Sequence, residues 1–371
     1  MTNAIDWEGA VKADFPYREN RIYLNSAGAG LSWSGQPAAA AYYYTELAEL
    51  GSDAQPRWVK RAEETRERAA RLLGAATEDV LFLRNTSDVI NLAANSVRWQ
   101  PGDEVVVAAD DFPSVIWPWQ VAEAHGGRVI RVPVPQEEQR EELLISQLTP
   151  RTRALAVTHV NAVTGTRVDL ERLGRACREV GAVLVVDGIE ALGAVDVDLS
   201  YVDVYGAAVF KWLLSGFGTS IAYFGQRARD LLEPAFRGYR NVPPSTSFEY
   251  SDPNYPGIYV LGPTLEYLEN LGWSAIYDRV SALTARVADV VAEAGLQAET
   301  PRDARAGIVS VRMSDPDAIV AQLQQRGVDL VQRVGRLRIS PHFYNTAAEI
   351  DEFAQALRDS LRAAPEAAAQ P

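Results

Sequence analysis

Through its first 225 residues the chain repeats one pattern, a short β-branched run followed in most cases by a helical stretch. The runs are DVLFL (79–83), EVVVAA (104–109), RVIRVPV (128–134), RALAVTH (153–159), AVLVVD (182–187) and TSIAYF (219–224). Apolar runs this short read as strands covered on both faces, the habit of a parallel sheet. Between them lie helical patterns. WVKRAEETRERAARLLG (58–74) ends on Gly74, and DLERLGRACREVG (169–181) puts Leu170, Leu173, Cys177 and Val180 on one face. Such alternation predicts an α/β domain with a mainly parallel sheet and right-handed crossovers.

The rhythm stops at 226–262, a stretch rich in Pro, Gly, Tyr and Asn that predicts a long surface loop. Beyond it, helical segments 263–294 and 316–326 flank GIVSVRM (307–313), followed by VGRLRIS (334–340) and a last helix over 347–362. The expected organisation is an N-terminal arm (1–20) packing on the small domain, then a large domain (21–262). A smaller C-terminal α+β domain (263–362) and a disordered tail (363–371) complete it.

Composition removes several functions. The chain has 49 acidic against 36 basic residues, net −13, and no basic cluster, which argues against nucleic acid as a partner. One cysteine, Cys177, allows no disulfide framework, CxxC chemistry or thiolate zinc site. His125, His159 and His342 are too scattered for a three-histidine zinc site, so no metal is expected. No run of 18 apolar residues occurs, and the opening MTNAIDWEGAVKADFPYREN does not resemble a signal peptide. A soluble cytoplasmic enzyme without a membrane partner is the expectation.

Chemistry concentrates in 182–219. Asp187 ends a strand, at the sheet edge where open α/β folds bind ligands. Lys211 follows between apolar neighbours in VFKWLL, where desolvation favours the nucleophilic amine. A Schiff-base lysine plus a strand-end aspartate is the pair that pyridoxal 5'-phosphate (PLP) requires, the carboxylate keeping the ring nitrogen protonated. Asn85, Thr86 and Ser87 open a helical pattern, and such a start serves either as a plain N-cap or as an anion site for a phosphate. Arg338 alternates with Leu337 and Ile339 in LRIS, projecting from the face opposite the apolar one.

Together YLNSAGAG (23–30), RNTSDVINLAANS, WPWQ, VTHVNAVTGTRVDL, VDGIEALGAVDVDLS, FKWLLSGFGT and RISPHFYNTAAEIDEF (338–353) carry a resemblance to a known family. The chain resembles the class V aminotransferase group of fold-type I PLP enzymes, which includes cysteine desulfurases and isopenicillin N epimerase-like proteins. The resemblance implies a fold-type I transferase architecture with PLP as cofactor. Lys211 would be the catalytic lysine, Asp187 the partner of the ring nitrogen, and Asn85, Thr86 and Ser87 the phosphate site. Phe112 would stack on the ring, while Glu190, His159 and Asn161 would lie near the cofactor. Arg338 would clamp the substrate carboxylate beside Asn25, Ala27 and Gly28. It also implies a homodimer, with loop 237–257 near the other subunit's site.

Departures matter as much. Ala208, Phe210 and Asp252 stand where relatives commonly have phosphate-binding Ser, His and Thr, Ala162 replaces a frequent Asn, and Glu190 replaces Gln or His. The desulfurase cysteine is missing from 326–338, and Cys177 lies on an apolar helix face. These features favour C–S lyase-type β-elimination on an S-substituted cysteine in specialised metabolism, as on the S-glycosylated cysteines of lincosamide assembly. Decarboxylative oxidative deamination, epimerisation, transamination and a non-catalytic fold-type I scaffold are the alternatives.

Overall fold

The computed structural model describes residues 5–17 and 20–363. Its main sheet has seven strands: β2 (Val80–Leu83), β3 (Glu104–Ala108), β4 (Arg128–Val132), β5 (Thr152–Thr158), β6 (Val183–Asp187), β7 (Val204–Ala208) and β8 (Ser220–Phe224). Their order is β2-β8-β7-β6-β5-β3-β4, parallel throughout except for β8, which runs antiparallel to both neighbours. Alternate residues divide between two apolar layers. Val106, Leu155, Leu184 and Val186 face one core, whereas Val105, Val107, Ala156 and Val185 face the other.

Helices α1 (Gln36–Leu50), α2 (Gln55–Leu73) and α5 (Tyr255–Leu271) supply the first layer. Helix α3 (Thr86–Ser96) covers the opposite layer with Val89, Ile90 and Ala93. Helix α4 (Leu170–Val180) carries Leu173 and Cys177 on its buried face, as its pattern predicts. The second core uses a three-stranded antiparallel sheet, β9 (Val309–Arg312), β11 (Val331–Arg333) and β12 (Arg336–Ile339), in the order β11-β12-β9. Against it pack α6 (Trp273–Glu293), α7 (Pro316–Gln325) and α8 (Ala347–Ala363). A short parallel pair, β1 (Ile22–Tyr23) with β10 (Val328–Asp329), ties the start of the chain to this unit.

Two expectations need correction. The loop foreseen over 226–262 shrinks to 232–254, because Gln226–Leu231 is helical and α5 begins at Tyr255. Pro256 lies in the first turn of α5, where its missing N–H leaves no bond unmade, so it starts the helix rather than preventing it. The boundary at 262/263 therefore falls inside α5. Ile258, Leu261, Leu265 and Leu268 all join the first core, and along these two helices the first residue of the second core is Leu283, midway along α6. In the N-terminal arm, Phe15 packs on Tyr267, Phe343 and Tyr344. The tail beyond Ala363 lies outside the described residues. Strand β7 escapes the sequence pattern because it carries Gly206, Ala207 and Ala208 instead of β-branched residues. A Cβ at 206 would sit 2.7 Å from the Val89 side chain, so this smallness is what lets α3 approach the sheet.

Candidate active site

Past the carboxyl ends of β5 and β6, Arg338 of β12 reaches the Ala162 carbonyl and comes within 3.8 Å of Glu190, in a group of buried charges. Asp187 closes β6 and accepts the Ile189 N–H at 2.9 Å. Burial pushes its carboxyl up to about 7. The Ile189 N–H and the Lys211 charge oppose the rise, while Asp111 and Glu190 add to it. Asp111, three residues past β3, is buried as well. It accepts the Thr158 N–H at 3.0 Å, the Thr158 hydroxyl and the Phe112 N–H at 2.7 Å, and desolvation raises it.

Lys211 sits in the tight connection between β7 and β8. The carbonyl of Phe210 accepts the Gly30 N–H at 2.9 Å, and a Cβ on Gly30 would lie 2.1 Å from the Lys211 carbonyl oxygen. The glycine-rich 25–30 segment is thus what allows the N-terminal strand exit to pass over the lysine turn. Lys211 Nζ donates to Glu190 Oε1 at 2.7 Å, and Glu190 is fully buried. Trp212 Nε1 donates to Glu190 Oε2 at 3.0 Å. Behind it, His342 Nε2 donates to the Trp212 carbonyl at 3.1 Å while its Nδ1 accepts the Phe343 N–H at 2.8 Å. Burial takes His342 down to about 3, so it is a neutral brace for the tryptophan.

Arg338 enters from β12. Its Nη1 donates to the Ala162 carbonyl at 2.9 Å and its Nη2 to Asn25 Oδ1 at 3.4 Å. The nearest carboxylate oxygen is again Glu190 Oε1, 3.8 Å from Nη1. The buried Nε has no hydrogen-bond partner, and desolvation lowers the guanidinium pKa. A buried guanidinium with an unfilled donor is suited to receive a carboxylate.

The start of α3 closes the site from the other side. Asn85 caps the helix by accepting the Asp88 N–H at 2.8 Å. Thr86 Oγ1 accepts the Ala208 N–H at 2.9 Å, pinning the helix to the end of β7, and its hydroxyl hydrogen remains available to an anion. Ser87 bonds Ser114 at 2.7 Å. Phe112 is 51% exposed.

Other expected residues have different work. His159 bonds the Tyr205 hydroxyl through Nδ1 at 3.3 Å, and burial takes it down to about 3. Asn161 spends its side-chain oxygen on the N–H groups of Val163 and Thr164. The Ala27 N–H reaches Ser340 Oγ at 3.1 Å and that of Gly28 reaches the Asn25 carbonyl at 2.9 Å, which orients Asn25 toward Arg338. The negative charge of Asp252 is matched by Arg240 at 2.9 Å. The sequence pattern does not single out Asp111, Trp212 or Ser114, and it shows His342 only as one of three scattered histidines. Adjacency to Phe112 and Lys211 was the one available signal for the first two.

A lysine amine on a buried carboxylate, a strand-end acid, a helix start with a hydroxyl hydrogen to offer and an unfilled guanidinium form a donor set that fits a phosphorylated aromatic aldehyde and an amino acid. Among the described residues no group of three or more His, Cys, Asp or Glu could hold a metal ion, and no helix is long and apolar enough to cross a membrane.

Known proteins share the sequence pattern and the fold of this chain. The family "Aminotransferase class-V" matches residues 22–353. The cysteine desulfurase of Dickeya dadantii (strain 3937) is 30% identical over 300 residues, 72% of either chain. The isopenicillin N epimerase of Amycolatopsis lactamdurans is 28% identical over 332 residues, 79% of this chain and 83% of that one. In fold, the chain matches a variant of the cystine C–S lyase C-DES with glycine covalently linked to its PLP cofactor. The TM-score is 0.86 at 20% identity, covering 93% of this chain and 98% of the other.

Proposed function

The chain belongs to the class-V aminotransferase family, and on that premise we propose that it is a PLP enzyme eliminating a sulfur leaving group from an S-substituted cysteine. Lys211 would hold the cofactor, with Asp187 at the ring nitrogen, Thr86 and Ser87 at the phosphate, and Phe112 against the ring. Bound there, PLP supplies an electron sink conjugated with the substrate's Cα.

The chain's own residues supply the rest. Arg338 binds the substrate carboxylate and fixes which Cα bond faces the lysine. The Lys211 amine takes the Cα proton. Asp187 holds a proton at the ring nitrogen, and the Trp212–Glu190 pair positions Nζ. The Cβ–S bond then breaks, its electron pair leaves with sulfur as a thiolate, and the released dehydroamino acid hydrolyses to pyruvate and ammonia.

One observation carries this choice over persulfide-forming desulfuration. The only thiol, Cys177, is fully buried and desolvation pushes its pKa up to about 12, so it cannot attack a substrate sulfur. C-DES, described as a cystine C–S lyase, offers a precedent for elimination in the same fold. S-conjugated cysteines of specialised metabolism, including the S-glycosylated type of lincosamide assembly, are the first substrates to assay. Equimolar pyruvate and thiol is the expected outcome. Carbon dioxide with an aldehyde, an inverted amino acid, or a keto acid that retains the sulfur substituent would each contradict elimination.

We also place a second copy of this chain against the 232–254 region. Tyr239 and Val242 in this region are both more than 60% exposed, as is Phe217 in the loop that follows Lys211, and large apolar side chains left this open suit a partner surface.

A further inference from the structure

The least expected feature of the site is that one carboxylate oxygen answers two cations. Glu190 Oε1 lies 2.7 Å from Lys211 Nζ and 3.8 Å from Arg338 Nη1, with no solvent exposure. Its second oxygen is held by Trp212 Nε1, so the carboxylate cannot turn away without losing that bond. Asp187 and Asp111 are the other acids nearby. Each is committed to backbone N–H groups, and burial favours the protonated form of both. Glu190 is therefore the main counter-charge for Lys211 and Arg338.

The consequence concerns which ligand the site admits. A carboxylate arriving at Arg338 approaches a fixed like charge within ~4 Å, a separation at which unit charges in a partly desolvated site interact by several kcal/mol. An α-amino acid brings its own remedy, because its ammonium is one carbon from its carboxylate and can face the same Oε1. We propose that Glu190 is a specificity-determining residue, accepting the α-ammonium of the incoming amino acid and keeping simple carboxylates off Arg338. This rests on the reading above that the loaded site receives an amino acid at Arg338.

The test compares L-alanine with propionate, which share a skeleton and differ in the ammonium. Each is titrated into the PLP-loaded protein and its Glu190→Gln variant, with the half-saturating concentration read from the visible absorbance band. Glu190→Gln is expected to bind propionate at least about tenfold tighter than wild type and alanine more weakly, and Glu190→Asp to restore the preference in part. Unchanged or weaker propionate binding in Glu190→Gln overturns the proposal. If the variant fails to load cofactor, calorimetric titration of propionate into cofactor-free wild type and variant decides it, with the same direction expected. A wild type that takes up no PLP contradicts the functional reading instead, and the calorimetric comparison still judges Glu190.

Discussion

Arg338 and Asp187 show how burial prepares charged groups for a ligand. The Arg338 guanidinium is buried with one donor unfilled, so Arg338→Ala should raise the KM for an amino acid by roughly 10- to 100-fold. That is the scale of a charge-assisted hydrogen bond of about 1.5–3 kcal/mol. The cofactor absorbance should be unchanged in that variant; its loss would contradict the assignment. Asp187 titrates near 7 in the folded chain against an ordinary 3.8, so the fold holds extra protons between those values. That contribution to stability is complete below the unfolded pKa and is lost as pH rises through 7. The Tm of the cofactor-free protein should thus fall between pH 5 and 8, and Asp187→Asn should flatten the slope, leaving the part due to Asp111. Lys211 and Asp187 were legible in sequence because each has a local signature, apolar flanks for one and a strand end for the other. Asp111, Trp212 and His342 were not, since their partners come from strands and loops distant in the chain.

At the level of elements, the strongest patterns were those whose burial is periodic. Helix α4 places Cys177 inward where its heptad-like spacing puts it, and native protein should resist a thiol reagent that labels the unfolded chain at once. Strand β7 was invisible because its demand is for small side chains rather than for branched ones. Gly206→Val should push α3 from the sheet and cost about 1–3 kcal/mol in denaturant unfolding, with weakened PLP affinity because Thr86 and Ser87 move with the helix. Equal stability would show that the close approach is not needed. Helix α5 was hidden by Pro256 and Gly257, read as loop residues although a first turn tolerates both.

For the molecule as a whole, α6 links the two cores, running from Ile276 and Val280 in one to Leu283 and Val287 in the other. Arg338 belongs to one unit and Lys211 to the other, so the site exists only where the two meet. The α/β class was readable from alternation, whereas the position of the seam was not, because α5 and α6 carry continuous helical patterns across the expected boundary. The exposed aromatic surface at Phe217 and Tyr239 predicts a dimer in sedimentation, and a Phe217→Asp/Tyr239→Asp double variant should sediment as a monomer. The proposed chemistry requires a covalent bond between Lys211 and the cofactor. Purified protein should be incubated with PLP, reduced with borohydride, digested and mapped by mass spectrometry. One modified site, Lys211, is expected, with no modification in Lys211→Ala; absence of label, or label confined to another lysine, would overturn the assignment.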